Sequence, residues 1–163
     1  LKMREVLGDK YLFSVSLHPV CYKISKEAIE AVDFISLQCY GPSPVRFPIE
    51  KYCSDIQMVL EYGIPKEKLV AGVPFYGVTK DNSKKTEAYF NFVQDGLITS
   101  PSQNEVICQG DTYVFDGQDN IRIKTRYAKE QKLKGMMSWD LATDLPLNDS
   151  RSLLKTMTEE LRK

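Results

Sequence analysis

Four short groups in this sequence place polar or aromatic side chains where apolar runs end, which is where a ligand can reach them. His18, the single histidine, precedes Pro19. With no serine, cysteine or acidic cluster close by to make a triad or a metal site, it reads as a turn or rim residue. Gln38-Cys39-Tyr40 closes a second run, and Gln38 and Tyr40 share a side because strand side chains alternate. A glutamine among apolar residues is costly unless hydrogen-bonded. This pair therefore either holds a neutral polar ligand by amide and phenol or satisfies itself inside the core. Pro74-Phe75-Tyr76-Gly77 sets two aromatics between a rigid and a permissive residue, and such pairs commonly fill a core. Trp139-Asp140 places the sole tryptophan at a run's end. There its indole is either a flat platform for the C–H face of a pyranose ring, with polar neighbours taking the hydroxyls, or a core side chain.

The elements that would carry these groups alternate. Tyr11 to Leu17 is rich in β-formers and predicts a strand. Ser25 is placed to cap a short helix whose Ile29 and Val32 face inward. Asp33 to Tyr40 predicts a second strand, ended by Gly-Pro-Ser-Pro. From Ile49 to Tyr62, apolar residues at 49, 52, 53, 56, 59 and 60 mark a helix with one buried stripe, and Gly63 stops it. Lys68 to Phe75 is a nearly continuous apolar strand of the kind buried on both faces. A helix over Ile121 to Lys132, a strand over Gly135 to Asp140 and a helix over Ser150 to Leu161 complete the series. Four β/α units imply a parallel sheet joined by right-handed crossovers.

The third unit holds extra chain, residues 80–119, between its strand and its helix. In it, Ala88 to Asp95 predicts a short helix, and Val106 to Cys108 with Thr112 to Phe115 predicts a hairpin. Loops that follow strands gather at the carboxyl rim of a β/α barrel, where sites lie, so this segment is expected to shape a cleft. Leu1 to Gly8 reads as a helix already in progress and ended by glycine, suggesting a chain that begins inside a larger protein.

Composition removes several classes. Of 163 residues, 42% are hydrophobic and 27% charged, as in a folded domain with one core. Twenty-two basic residues balance 22 acidic ones, leaving no field to attract nucleic acid or anionic lipid. No apolar run reaches the roughly 18 residues of a membrane span, and no basic-then-apolar leader is present. None of the spacings among Cys21, Cys39, Cys53 and Cys108 fits a zinc pattern, and Cys39, in an apolar run, reads as an inert core thiol. Neither metal nor cofactor is expected.

Taken together and in order, four segments resemble the glycoside hydrolase family 18 chitinases. The family carries D-x-I-x-x-M-x-Y-D on its sixth strand, K-L-x-x-G-x-P-x-Y-G on its seventh and G-G-x-M-x-W on its eighth. Here D-F-I-S-L-Q-C-Y-G spans Asp33 to Gly41, K-L-V-A-G-V-P-F-Y-G spans Lys68 to Gly77, and K-G-M-M-S-W-D spans Lys134 to Asp140. The run L-G-D-K-Y-L-F-S-V-S-L resembles the fifth strand and its lead-in.

The resemblance implies the last four β/α units of a (β/α)8 TIM barrel over residues 1–163, with residues 80–119 where many members carry an α+β insertion. It implies a substrate-assisted retaining glycosidase acting on β-linked N-acetylglucosamine glycans. The acetamido oxygen is the nucleophile there, so one carboxylic acid suffices, an exception to the two-carboxylate scheme. Tyr40 then positions the acetamido group and Trp139 floors the distorted sugar's subsite. Gln38, Phe75, Tyr76 and Asp140 line or support the cleft.

Departures from the family pattern qualify these expectations. The signature D-G-x-D-x-D-x-E, source of the acid, does not occur in these residues, and its natural place is ahead of Leu1. Gln38 and Gly41 stand for the usual Met and Asp, and the former occurs in endo-β-N-acetylglucosaminidase-like relatives. The chain alone is accordingly expected to be inactive and to pair with the barrel's other half or a second copy. Export of the parent, as a secreted, periplasmic or cell-surface protein, follows from the resemblance. An acid-less lectin that only holds N-acetylglucosamine glycans is the alternative. A third reading is a flavodoxin-like or half-barrel module with Trp139 in its core.

Overall fold

The structure, a computed structural model, describes residues 1–81 and 83–163; Asn82, within the expected 80–119 segment, lies outside the described residues. Element order is α1 (Lys2–Leu7), β1 (Ser14–Leu17), α2 (Lys26–Ala31), β2 (Phe34–Leu37), α3 (Ile49–Tyr62), β3 (Leu69–Pro74), β4 (Tyr76–Thr79), β5 (Thr86–Ala88), α4 (Tyr89–Gln94), β6 (Glu105–Cys108), β7 (Asp111–Val114), α5 (Gln118–Glu130), β8 (Gly135–Trp139) and α6 (Leu153–Arg162). Strands β1-β2-β3-β8 form one sheet in that order, and every pairing in it is parallel. The architecture is α/β, as the alternating pattern predicts.

One face of this sheet carries the core. Ile35, Leu37, Leu69, Ala71 and Val73 point at Tyr52, Ile56 and Val59 of α3, Ile121 of α5 and Leu153 and Met157 of α6 within one buried cluster. The alternate positions Phe34, Ser36, Gln38, Val70 and Met137 are only half-buried, because no element among the described residues covers that face. Helix caps follow the sequence. The Ser25 hydroxyl accepts from the Ala28 N–H, and Gly63 ends α3 at φ 108°, a left-handed conformation that a side chain would strain.

Strand ends differ from the sequence reading. β1 begins at Ser14, not Tyr11, because Tyr11 and Leu12 are exposed and the Phe13 N–H goes to the Asp33 carboxylate at 2.6 Å. β2 ends at Leu37, since the Cys39 N–H turns back to the Leu37 carbonyl at 3.0 Å.

The segment between β3 and α5 holds the expected short helix and hairpin, the hairpin turning at Gln109 and Gly110 with φ of 51° and 85°. It also holds a second sheet, β5-β4-β7-β6, entirely antiparallel. Its first strand, β4, follows β3 after Phe75 alone. Among the described residues no helix is long and apolar enough to cross a membrane, and no cluster of residues suited to a metal occurs.

Candidate functional site

The carboxyl ends of β2, β3 and β8 bring Tyr40, Tyr76 and Trp139 to one end of the parallel sheet. The strand order puts β3 between the other two. Tyr40 lies over β3: a Cβ built on Gly72 would stand 2.8 Å from the Tyr40 ring and 2.8 Å from the Leu37 carbonyl. Only glycine leaves that space, so Gly72 of the K-L-x-x-G run is there for the tyrosine. The Tyr40 hydroxyl meets Sδ of Met137 at 3.7 Å. Trp139, two positions on and thus on the same face, is 54% exposed.

Tyr76 meets Tyr40 edge to face, with centroids 6.4 Å apart and planes at 89°. Phe47 grips its other side at 6.4 Å and 84°. Burial raises both phenols, Tyr76 to about 12 and Tyr40 well above its ordinary value, the latter with contributions from Tyr76, Cys39 and Asp140. Both stay O–H donors across physiological pH. They suit a neutral ligand offering carbonyl or hydroxyl oxygens.

The remaining expected site residues separate. Gln38 is half-buried, and its amide donates to the Ser16 hydroxyl at 2.8 Å. Phe75 has no exposed surface and belongs to the core, its N–H donating to the Trp139 carbonyl at 2.8 Å. It supports the rim from beneath without facing it. The Asp140 carboxylate caps the turn after β8, accepting from the Ala142 N–H at 2.9 Å while Thr143 closes a capping box. Cys39 is buried, and burial pushes its thiol up to about 12, so it is inert.

Two supporting contacts go beyond the sequence reading. Lys124 and Asp116 form an ion pair with no exposed surface at either side chain. The Lys124 ammonium donates to both carboxylate oxygens, at 2.8 and 2.6 Å, and to the Phe47 carbonyl at 2.8 Å. It thereby anchors the residue that grips Tyr76. Burial raises the Asp116 carboxyl against the opposing effect of Lys124. A lysine on an amphipathic helix gives no sequence sign of burial, because its neighbours on α5 are mostly polar. His18 is the second: its Nε2 lies 3.1 Å from the Tyr40 carbonyl.

This fold and rim define an α/β protein of the class that presents its ligand site at the carboxyl ends of parallel strands. The family model for glycosyl hydrolases family 18 matches residues 2–144, and the chain belongs to that family. Among solved structures it is similar to a family 18 chitinase from the chitin utilization locus of Flavobacterium johnsoniae, with 27% identity over 98% of this chain and 53% of that one and a TM-score of 0.79. It also resembles a chitinase from Bacteroides thetaiotaomicron, at 19% identity over 94% and 53% with a TM-score of 0.78. A plant class V chitinase mutant from Cycas revoluta in complex with (GlcNAc)3 matches at 17% identity over 98% and 58%, with a TM-score of 0.72. The chain thus spans little more than half the length of these structures. No curated protein matches it.

Proposed function

We propose that this chain supplies the sugar-holding half of a chitinase-type glycoside hydrolase that cleaves β-linked N-acetylglucosamine glycans with retention. The observation that carries this is the pair of neutral phenols, the buried Tyr40 and the half-buried Tyr76, set beside the exposed indole of Trp139 at one sheet end. Trp139 floors the sugar, and the Tyr40 hydroxyl donates to the acetamido carbonyl. That oxygen then closes on the anomeric carbon as the glycosidic oxygen leaves with a proton from an acid, and water later opens the cyclic intermediate. Tyr76 contacts the glycan, as does Gln38 through the amide oxygen that its bond to Ser16 does not use, while Phe75 supports β3 and Asp140 holds the turn that presents Trp139. The bound trisaccharide of the Cycas revoluta structure is the ligand class this assignment requires.

In this reading the four β/α units are half of an eight-stranded barrel, and residues 80–119 are an insertion walling the cleft. Among the described residues the outer edges of β1 and β8 have no neighbouring strand in the sheet. A groove of about 630 Å3 runs along β8, lined by Phe34, Val70, Met136, Met137, Leu154 and Met157. Four further β/α units would cover this face and edge and bring the acid; a second copy of the chain is the other candidate to cover them. Nucleic acid and membrane have no place in the proposal.

Titration with N-acetylglucosamine oligomers, following the fluorescence of the sole tryptophan, tests the reading. A saturable change is expected, with no hydrolysis by the chain alone, and an unchanged signal at millimolar sugar would refute it. A lectin is the second reading, suggested by the likeness of this fold to that of a chitinase-like agglutinin from Robinia pseudoacacia. Assembly with four β/α units bearing D-G-x-D-x-D-x-E separates the two, since hydrolysis marks the enzyme and binding without turnover the lectin.

A further inference from the structure

The backbone ladder between β1 and β2 stops short of the residue that matters most at the rim. Its last rung is the Gln38 N–H to the Leu17 carbonyl at 2.8 Å, after which Cys39 turns back on Leu37. Tyr40 therefore lies beyond the ladder. Among the described residues its carbonyl has one protein partner, His18, whose Nε2 is 3.1 Å away.

The other ring nitrogen fixes how that contact works. Nδ1 lies 3.3 Å from the Val20 N–H, which can only donate, so Nδ1 accepts. The proton of a neutral ring then sits on Nε2 and is donated to the Tyr40 carbonyl. The backbone that carries the ring is itself anchored, because the Cys21 N–H returns to the His18 carbonyl at 2.7 Å and closes the turn over Pro19. The residue after Tyr40 lies against the same ring: a Cβ on Gly41 would stand 3.4 Å from Nε2, at van der Waals contact.

We propose that His18 is a positioning residue for Tyr40. Its side chain adds one more rung to the β1–β2 ladder, at the point where backbone pairing has ended, and so fixes the backbone from which the phenol reaches Met137 and the edge of Tyr76. The proposal rests on the reading of Tyr40 as the group that meets the sugar, and it deepens that reading by naming what holds Tyr40.

The two contacts of the ring can be removed separately. His18→Gln places an amide donor near the Nε2 position and gives up the acceptor for Val20. His18→Asn keeps an acceptor near Nδ1 and cannot reach Tyr40. In protein labelled with 13C at the methionine methyls, the Met137 resonance reports the Tyr40 ring directly, without any sugar present. His18→Gln should leave that resonance and oligosaccharide affinity close to those of the parent. His18→Asn and His18→Ala should shift the resonance and weaken affinity about tenfold, as for loss of one orienting hydrogen bond. Equal behaviour of the Gln and Asn variants, or an unmoved Met137 resonance in the Asn and Ala variants, would overturn the proposal. If the Met137 pattern appears but the parent chain binds no sugar, the positioning assignment stands and the sugar-site reading fails.

Discussion

The two ends of the parallel sheet treat their polar groups in opposite ways. At the amino end, charged side chains close the structure on itself. Arg4 donates to the Ala31, Gly8 and Tyr11 carbonyls and to the Asp33 carboxylate, and Lys68 donates to the Ile29, Glu30 and Val32 carbonyls at 2.7–3.0 Å, serving the last turn of α2. At the carboxyl end, the Tyr40 hydroxyl meets, among the described residues, only a sulfur, Tyr76 is held by ring edges, and Trp139 lies more than half exposed. One end uses its donors to tie elements together, whereas at the other the Tyr40 and Tyr76 hydroxyls and the exposed face of Trp139 are the groups that the proposed glycan would meet. That division of labour is the one expected of parallel α/β sheets.

The largest effect expected from breaking this contrast lies between the ends. Gly72→Ala sets a methyl 2.8 Å from both the Leu37 carbonyl and the Tyr40 ring. The carbonyl belongs to β2 and cannot yield, so Tyr40 must move and the strand must shift. A loss of about 1–3 kcal/mol is expected on urea unfolding, as for overpacked interiors. A change smaller than about 0.5 kcal/mol, the range of neutral surface substitutions, would mean that the tyrosine is free to leave β3.

At the amino end, Lys68→Met removes an ammonium that satisfies three helix-terminal carbonyls and complements the negative end of α2. About 1–2 kcal/mol of stability should go with it. The intrinsic fluorescence of Trp139 should stay as it was. If the indole responds, the two ends are coupled and the contrast fails.

These residues also show how much was readable beforehand. Helix α3 was legible to the residue, because its apolar stripe and its glycine stop are local signals. The parallel order and the rim positions of Tyr40, Tyr76 and Trp139 followed from alternation and motif spacing. The second sheet was read only as a hairpin, because Tyr76-Gly-Val-Thr is too short and too polar at its edges to announce a strand before its partners are known. Lys124 and Asp116 were invisible for a different reason. Sequence periodicity assigns charge to solvent, and only the folded chain shows two charges meeting at full burial. His18 was read as a bland rim residue because its partner is a backbone carbonyl 22 positions away, which no side-chain pattern records.

Acidity offers a gentler way to probe the amino end. The Phe13 N–H, and after it the Arg4 guanidinium, hold the Asp33 carboxyl below its ordinary value of 3.8. A carboxyl lowered on folding adds stability that is present above its unfolded value and is lost as pH falls through its folded one. The difference between the parent and Asp33→Asn in denaturant midpoint should therefore be constant above about pH 4.5, given an unfolded aspartate pKa near 3.9, and shrink below it. A difference that persists undiminished into strong acid would assign Asp33 a packing role and not an electrostatic one. Partial exposure of this ion pair keeps the effect below that of Lys68.

The smallest stability effect should come from the exposed aromatic at the rim. Trp139 is 54% exposed, and its backbone contacts, the β3 ladder and the bond from Phe75, do not depend on its indole. Trp139→Ala should change unfolding free energy by less than about 0.5 kcal/mol, as surface substitutions do. Calorimetric titration with N-acetylglucosamine oligomers, which needs no fluorophore, should nevertheless lose its heat of binding, because the chain has no second indole to offer such a platform. A residue nearly silent in folding and required for binding is what the contrast between the two ends demands. A loss of several kcal/mol on unfolding would instead make the indole a core side chain, and it would move the sugar site away from β8.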